Sequence, residues 1–307
     1  VPHDIVILGV FVADAAFRSD RLPVLGETKI ATGFTLGPGG KGSNQAVAAA
    51  KAGGDVGFIT RIGKDTFGQM GVQLWAAAGV SALVTQDLDH PTGAAGIFIE
   101  EGSGRNAILI SPGAAGAITL ADLAPHAAII AEAKVAMTQL EQPVDVAHEF
   151  CRMARAGGAI TILNPAPAAA LPAGMLALCD FVTPNETEAE ALTGIKVTDT
   201  NSATAAAKAL LAQGVRQAAV ITLGANGALL CDQGGARHVP PIDAGRVVDT
   251  TGAGDAFNGG FACALAQGME LNAALDFATA VAAISVTRRG TAEAMPNRAE
   301  VMALLQR

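Results

Sequence analysis

Hydrophobic and polar positions follow two different rhythms along this chain, with a change near residue 120. The opening run IVILGVFV (5–12) is short, apolar and rich in β-branched residues, as a buried strand would be. The stretch after it, DAAFRSDRLPVLGETKIATGFTLGPGG, is polar, glycine-bearing and β-prone, with no helical period. SNQAVAAAKAGG then predicts a helix that Ser43 caps, alanines fill and Gly53-Gly54 stop. DVGFITRIG predicts a strand and DTFGQMGVQLWAAAGV a helix. AAGIFIEEGSGRNAILISPG predicts a hairpin, two apolar-rich arms around Gly102-Ser103-Gly104.

Beyond residue 120 the alternation is regular. KVAMTQLE, AITILN, DFVTPNE and AAVITLG read as strands, separated by helical runs such as VDVAHEFCRMARAGG and NSATAAAKALLAQG. Short apolar strands alternating with amphipathic helices predict an α/β fold, a three-layer, mostly parallel sheet flanked by helices. Such folds bind ligands at the carboxyl ends of their strands. Glu141, Asn164, Asn185 and Gly224 all fall there. The β-rich excursions at 13–39 and 93–111 interrupt the alternation. They are expected to form a small second sheet, a lid over the site, leaving 1–12, 40–92 and 112–307 as the main α/β domain.

Composition narrows the function classes. The 307 residues are half hydrophobic, include 36 glycines and carry a net charge of −8. With no excess or cluster of positive charge, a nucleic-acid or anionic-membrane partner is not expected, and an anionic substrate needs local backbone N–H groups or a metal. Cys151, Cys179, Cys231 and Cys263 lie far apart without a CxxC pair, which predicts buried free thiols in a reducing compartment. The opening segment has no charged leader and is too short to span a bilayer, so the expected location is cytoplasmic. The five histidines show no zinc-ligand spacing, and there is no Gly-x-Ser-x-Gly hydrolase motif.

Three stretches carry candidate chemistry. In DTTGAGDAF, glycines at 252 and 254 let successive N–H groups converge where a helix starts, a favourable place for an anion and for an ionised Asp255 acting as a base. Taken alone, those residues read first as an ordinary helix N-terminus with Asp255 as cap. GPGGKGSNQA (37–46) allows close backbone approach to a ligand and offers Lys41 and Asn44 as donors to hydroxyl groups, or is simply a glycine-rich loop with a solvated lysine. It is not a Walker loop, because Gly42 follows the lysine, and no GxGxxG joins the first strand to a helix. In TPNETEAEALTG (183–194), Asn185 and Glu188 stand at i and i+3 on one expected helical face, oxygen donors suited to magnesium, or acidic residues that merely favour a helix start.

Taken together, these stretches resemble the ribokinase family of carbohydrate kinases, also called the PfkB family. GPGGKGSNQAVAAAKAGG is similar to its first signature and VDTTGAGDAFNGGF to its second; LNPAPA (163–168), TPNETEAEALTGI and VTRRG match between and beyond them. The resemblance covers nearly the whole chain in order. It implies an ATP-dependent kinase acting on a sugar's primary hydroxyl, with Asp255 as base and the N–H groups of Gly252, Ala253 and Gly254 as the anion hole for the γ-phosphate. Asp14, Gly40, Lys41, Asn44 and Glu141 match sugar-binding positions. Asn185 and Glu188 match the element that organises Mg2+ and the nucleotide phosphates, and Thr222, Gly224 and Gly227 a loop lining the ATP site. Asp249, Thr251, Ser285, Arg288, Gly290 and Ala294 match a loop that binds a monovalent cation, K+, mostly through carbonyls. The lid implies a homodimer contact.

One departure stands out. Where family members acting on ribose carry Asn, two residues before the sugar-binding Asp14, this chain has Val12. Valine cannot hydrogen-bond a hydroxyl, so 2-deoxyribose, other furanoses and nucleosides stay beside ribose as substrates. A regulator that had lost catalysis would lack the base or the glycines, and this chain keeps both.

Overall fold

The structure is a computed structural model that describes residues 2–103 and 105–307. Its strands, in chain order, are β1 Ile5–Leu8, β2 Val12–Ser19, β3 Gly33–Gly39, β4 Val56–Gly63, β5 Ser81–Asp87, β6 Thr92–Glu100 and β7 Asn106–Gly113. They continue with β8 Val135–Thr138, β9 Ile160–Leu163, β10 Phe181–Val182, β11 Ala218–Thr222, β12 Ala228–Asp232 and β13 Gly235–Val239. A 9-stranded sheet has the order β13-β12-β11-β10-β9-β8-β1-β4-β5. It is parallel from β5 to β11 and ends in the antiparallel pairs β11-β12 and β12-β13.

Alternation along the strands explains the three layers. Ile5 and Ile7 join one buried cluster with Phe58, Met137, Phe181 and Val220, beneath the helices Lys41–Lys51, Ala253–Ala266 and Leu271–Ser285. Val6 and Leu8 join the other, with Ala136, Leu163, Val182 and Ile221, beneath Val144–Gly157 and Thr200–Ala212. A parallel sheet buried on both faces needs apolar residues at both parities, hence the unbroken runs IVIL and AAVIT. All four cysteines are buried free thiols. No helix among the described residues is long and apolar enough to cross a membrane.

A separate 4-stranded sheet has the order β3-β2-β6-β7. β6 and β7 are the antiparallel hairpin anticipated from the two apolar arms, though Gly104 at its tip lies outside the described residues. One turn leads directly from β1 of the large sheet into β2 of the small one, so the small sheet starts at the carboxyl end of β1. Phe17 packs between Phe34 and Phe98, with ring centroids at 4.9 and 6.1 Å. Phe34, Leu36, Ile108, Leu109 and Ile110 remain exposed.

Candidate active site

The site begins with a turn that only glycine accommodates. Gly40 has φ +88°, and a Cβ there would lie 2.5 Å from the Val10 carbonyl oxygen and 2.9 Å from the Phe11 Cα. The helix consequently starts at Lys41 with Gly40 as its N-cap, three residues before the expected cap. Ser43 lies inside the first turn and accepts a hydrogen bond from Trp75 Nε1 at 2.9 Å, so it is a core contact and not a cap. This start directs the Lys41 backbone N–H to Glu141 Oε2 at 2.8 Å and buries Asn44 and Gln45. On the small sheet, Asp14 stands beside Gly39 of β3, where a Cβ would come within 2.3 Å of Asp14 Oδ2.

The helix Ala253–Ala266 brings up Asp255 in its first turn, and Gly252 caps it in the left-handed region at φ +77°. Asp255 is only 7 % exposed. Its Oδ2 accepts from Asn44 Nδ2 and its Oδ1 from Gln45 Nε2, both at 3.0 Å. Among the described residues the N–H groups of Gly252, Gly254 and Asp255 have no acceptor, whereas that of Ala253 closes a turn onto the Thr250 carbonyl at 3.2 Å. A Cβ on Gly254 would meet open space, so this rim of free donors is accessible.

Burial governs the charges here. It pushes the Asp255 carboxyl up, while Lys41 and the two amide donors hold it down. Burial also raises Glu141 to about 7, against the opposing pull of Lys41 and its backbone N–H, and raises Asp14 to about 6 with help from Glu293. Glu188 is raised for the same first reason. Burial disfavours the Lys41 ammonium, but Asp255, Glu141 and Glu188 outweigh it and its pKa rises. Carboxylates raised in the folded state bind protons that the unfolded chain has released. Their ionisation therefore opposes folding as pH rises through about 6 to 7. Ligand-free protein should be more stable at pH 6 than at pH 8, by roughly 1–2 kcal/mol after solvent screening. Thermal unfolding from pH 5 to 8 measures this, and a flat or oppositely sloped profile contradicts it.

The second half of the site lies at the ends of β10 and β11. Asn185 is the N-cap of the helix Glu186–Thr193, not a residue on its face. Its Oδ1 accepts from Glu188 N at 2.8 Å, and Glu188 Oε2 accepts from Asn185 N at 2.9 Å, a reciprocal capping box. The helix-start reading of this motif therefore holds in full, and the remaining Glu188 oxygen is what it has to offer a ligand. A backbone bridge sets Asn185 beside Thr222, from which the turn Gly224–Asn226 and Gly227 follow. Among the described residues no group of three or more His, Cys, Asp or Glu is placed to hold a metal ion. A magnesium ion at Asn185 and Glu188 would thus depend on water and phosphate oxygens, which is its usual habit.

Next to the Gly252 turn, two loops are tied together. Val248 and Asp249 N–H groups donate to the Val286 carbonyl, and Asp249 Oδ2 accepts from Gly290 N at 3.2 Å. Thr251 donates to Asp249 Oδ1 through its N–H and its hydroxyl. The carbonyls of Asp249, Thr251, Arg288, Gly290 and Ala294 accept no hydrogen bond from the described residues. Such unused oxygens suit a hard monovalent cation. Ser285 differs, its carbonyl accepting from Arg288 N at 3.1 Å and its hydroxyl donating to Ala282. The Arg288 guanidinium is paired with Glu300.

A family model described as "pfkB family carbohydrate kinase" matches residues 2–298. The chain belongs to this family. It is 36% identical to a ribokinase of Haemophilus influenzae over 306 residues, covering 98% of each chain. It is 35% identical to a deoxyribokinase of Salmonella typhi over 296 residues, 96% of each. A solved ribokinase of Arabidopsis thaliana, complexed with ribose and ATP, superposes with a TM-score of 0.93 at 30% identity over all of both chains. This pfkB-family chain is an ATP-dependent sugar kinase, a transferase with an alcohol acceptor.

Motif reading passed over Gln45, Gln139 and Asn258, which the fold gathers around Asp255 and its turn. Gln139 Nε2 donates to Gln45 Oε1 at 2.6 Å, and Asn258 Nδ2 to the Gly254 carbonyl at 2.9 Å. The available signal was a polar residue in an otherwise apolar setting, as in NQAVAAA and VAMTQL.

Proposed function

We propose that this kinase transfers the γ-phosphoryl group of ATP to the primary 5-hydroxyl of ribose or a closely similar sugar. The observation that carries the reading is a desolvated carboxylate, Asp255, one residue beyond a rim of unpartnered backbone N–H groups. The sugar O–H breaks with its proton passing to Asp255. Its oxygen bonds to the γ-phosphorus while the bond to the β-phosphate oxygen breaks and ADP leaves. The N–H groups of Gly252 and Gly254 and the Lys41 ammonium stabilise the charge that accumulates on the transferring group.

The sugar's hydroxyls would meet Asp14, Lys41, Asn44 and Glu141, with backbone approach allowed at Gly40. Asn44 supports this, for among the described residues its buried Oδ1 has no hydrogen-bond partner and is a free acceptor. Asn185 and Glu188 would hold Mg2+ with the phosphates, and Thr222, Gly224 and Gly227 would line the nucleotide. K+ would sit among the carbonyls of Asp249, Thr251, Arg288, Gly290 and Ala294, near Ser285, and supply a fixed positive field beside the anion turn. The small sheet would act as lid, spanning about 13–39 and 93–111, and exclude water from the reaction. Its exposed Phe34, Leu36, Ile108, Leu109 and Ile110 favour a homodimer through that face. The net charge of −8 favours neither nucleic acid nor an anionic membrane as partner, and the free thiols fit a cytoplasmic setting.

Val12 favours a second reading, a kinase for 2-deoxyribose. It is 8 % exposed at the start of β2, two residues before Asp14, and offers no group to a sugar hydroxyl. A coupled ADP-release assay over ribose, 2-deoxyribose, fructose and several nucleosides decides between the readings. A preference for nucleosides would overturn both. Val12→Asn should raise the ribose-to-deoxyribose ratio of kcat/KM by about tenfold or more, the worth of one satisfied hydroxyl. An unchanged ratio would remove Val12 from the specificity argument.

A further inference from the structure

Behind Asp255 lies a chain of buried amides that the reaction, as written above, does not use. Gln45 Nε2 donates to Asp255 Oδ1 and to Asn164 Oδ1, each at 3.0 Å, which uses both of its hydrogens. Its Oε1 accepts from Gln139 Nε2 at 2.6 Å. Asn164 Nδ2 donates to the Thr183 carbonyl at 2.9 Å, and Thr183 Oγ1 donates to Asn258 Oδ1 at 2.5 Å. Asn258 Nδ2 closes the path on the Gly254 carbonyl. Gln45 and Gln139 are wholly buried, and Asn164, Thr183 and Asn258 nearly so.

The direction of this chain is dictated at one end. An ionised carboxylate only accepts, so the atom of Gln45 that faces Asp255 must be its nitrogen. Its oxygen then faces Gln139, which must present nitrogen in turn. Reversing either amide would set two like groups against each other in a dry interior, where each unmet group costs its full desolvation. Among the described residues Gln139 Oε1 has no partner, and a proton on Asp255 Oδ1, but not one on Oδ2, would break the contact from Gln45.

We propose that Gln45, locked by Gln139 and Asn164, is the positioning residue of the base. It fixes Asp255 Oδ1 inward and stabilises the carboxylate, leaving Oδ2, shared with Asn44, as the oxygen that meets the sugar hydroxyl. The inference rests on Asp255 being the base. Because amides do not titrate, the accepted proton cannot pass through this network and leaves by the Oδ2 side. The continuation to the Gly254 carbonyl ties the base and the anion turn to one rigid frame. The charged groups whose fields reach Asp255 are Lys41 on its helix, Glu141 after β8 and Glu188 on the helix Glu186–Thr193. The hydrogen bonds to the carboxylate itself come from neutral amides, Gln45 on Oδ1 and Asn44 on Oδ2.

The test is Gln45→Met, which keeps the volume and removes the donor. The Asp255 carboxyl is followed by 13C NMR in ligand-free protein, its signal assigned by its loss in Asp255→Asn. It should titrate about one pH unit higher in Gln45→Met than in the native enzyme. The acid limb of kcat should move up with it by about the same amount, with kcat recovered at high pH. Sugar dissociation should change less than about threefold. Gln139→Met, which frees Gln45 without touching Asp255, should shift both readouts in the same direction by less, and it decides the question if Gln45→Met does not fold. An unmoved Asp255 titration, or a kcat reduced equally at every pH, overturns the proposal. Full activity of Asp255→Asn would instead sink the base assignment, while the NMR titration would still report Gln45's hold on the carboxylate.

Discussion

Asp255→Asn is expected to lower kcat by about 10³–10⁴-fold while sugar affinity changes little. Asparagine keeps the shape of the carboxylate and one acceptor, so the pocket retains its form, but the amide cannot take the proton of the attacking hydroxyl. A second consequence concerns stability. Burial disfavours the Asp255 charge, and only Lys41, Asn44 and Gln45 offset that penalty. Removing the charge should therefore leave the melting temperature unchanged or higher, since an active site keeps a destabilised group for the sake of its chemistry. One donor, Gln45 Nε2 or Asn44 Nδ2, will face the new NH2 group, which limits the gain. Steady-state kinetics together with thermal unfolding test both parts. A kcat within tenfold of the native value would falsify the role of Asp255 as base.

The second large effect is expected far from any substrate atom. Gly259→Ala should destabilise the protein by about 3 kcal/mol and lower kcat as well. A Cβ at Gly259 would lie 2.5 Å from the Ala48 Cβ, 2.6 Å from the Gln45 carbonyl oxygen and 2.8 Å from Ala49 N. These atoms belong to the helix Lys41–Lys51, so the helix Ala253–Ala266 rests on it backbone to backbone. The obstacle is main chain and an alanine methyl fixed to it, and neither can rotate away. Relief requires the helices to separate, and that separation draws Asn44 and Gln45 away from Asp255, four residues before the contact. Misplacement of a catalytic group by about 1 Å can cost 10²-fold in rate. Denaturant unfolding and kcat of the same variant measure the two consequences. An alanine tolerated in both would mean that this contact does not set the geometry of the base.

Much of the architecture was legible because it depends on local pattern. Short apolar runs such as ITIL and AAVIT, too short for helices and spaced between amphipathic ones, read as strands buried on both faces, and the α/β alternation follows from them. The antiparallel edge formed by β12 and β13, and strand β5, were not singled out. SALVTQD and GARHV are mixed in polarity and half exposed, so their pairing is set by the neighbouring strand and not by their own period. The first helix begins at Lys41 and not after Ser43 because Gly40 can take a positive φ that a side chain would forbid, a fact about the Val10 carbonyl above it. Asn185 and Glu188 read equally as helix start and as ligand, and the capping box satisfies the first reading without closing the second.

By itself, then, the order of residues marked most of the strands of both sheets and the glycine turn before Asp255, for those patterns are local, whereas the pairing of β2 with β6 joins distant stretches of the chain. The amides that hold Asp255 stand 211 and 210 residues before it in the chain, and Gln139, which holds one of them, stands 94 residues from that partner. Only packing of the helices on the sheet brings Asn44 and Gln45 to one carboxylate and sets Gln139 behind Gln45. Burial then turns ordinary acids into perturbed ones, because the cost of a charge depends on the surroundings that the folded chain builds around it and on no short stretch of sequence.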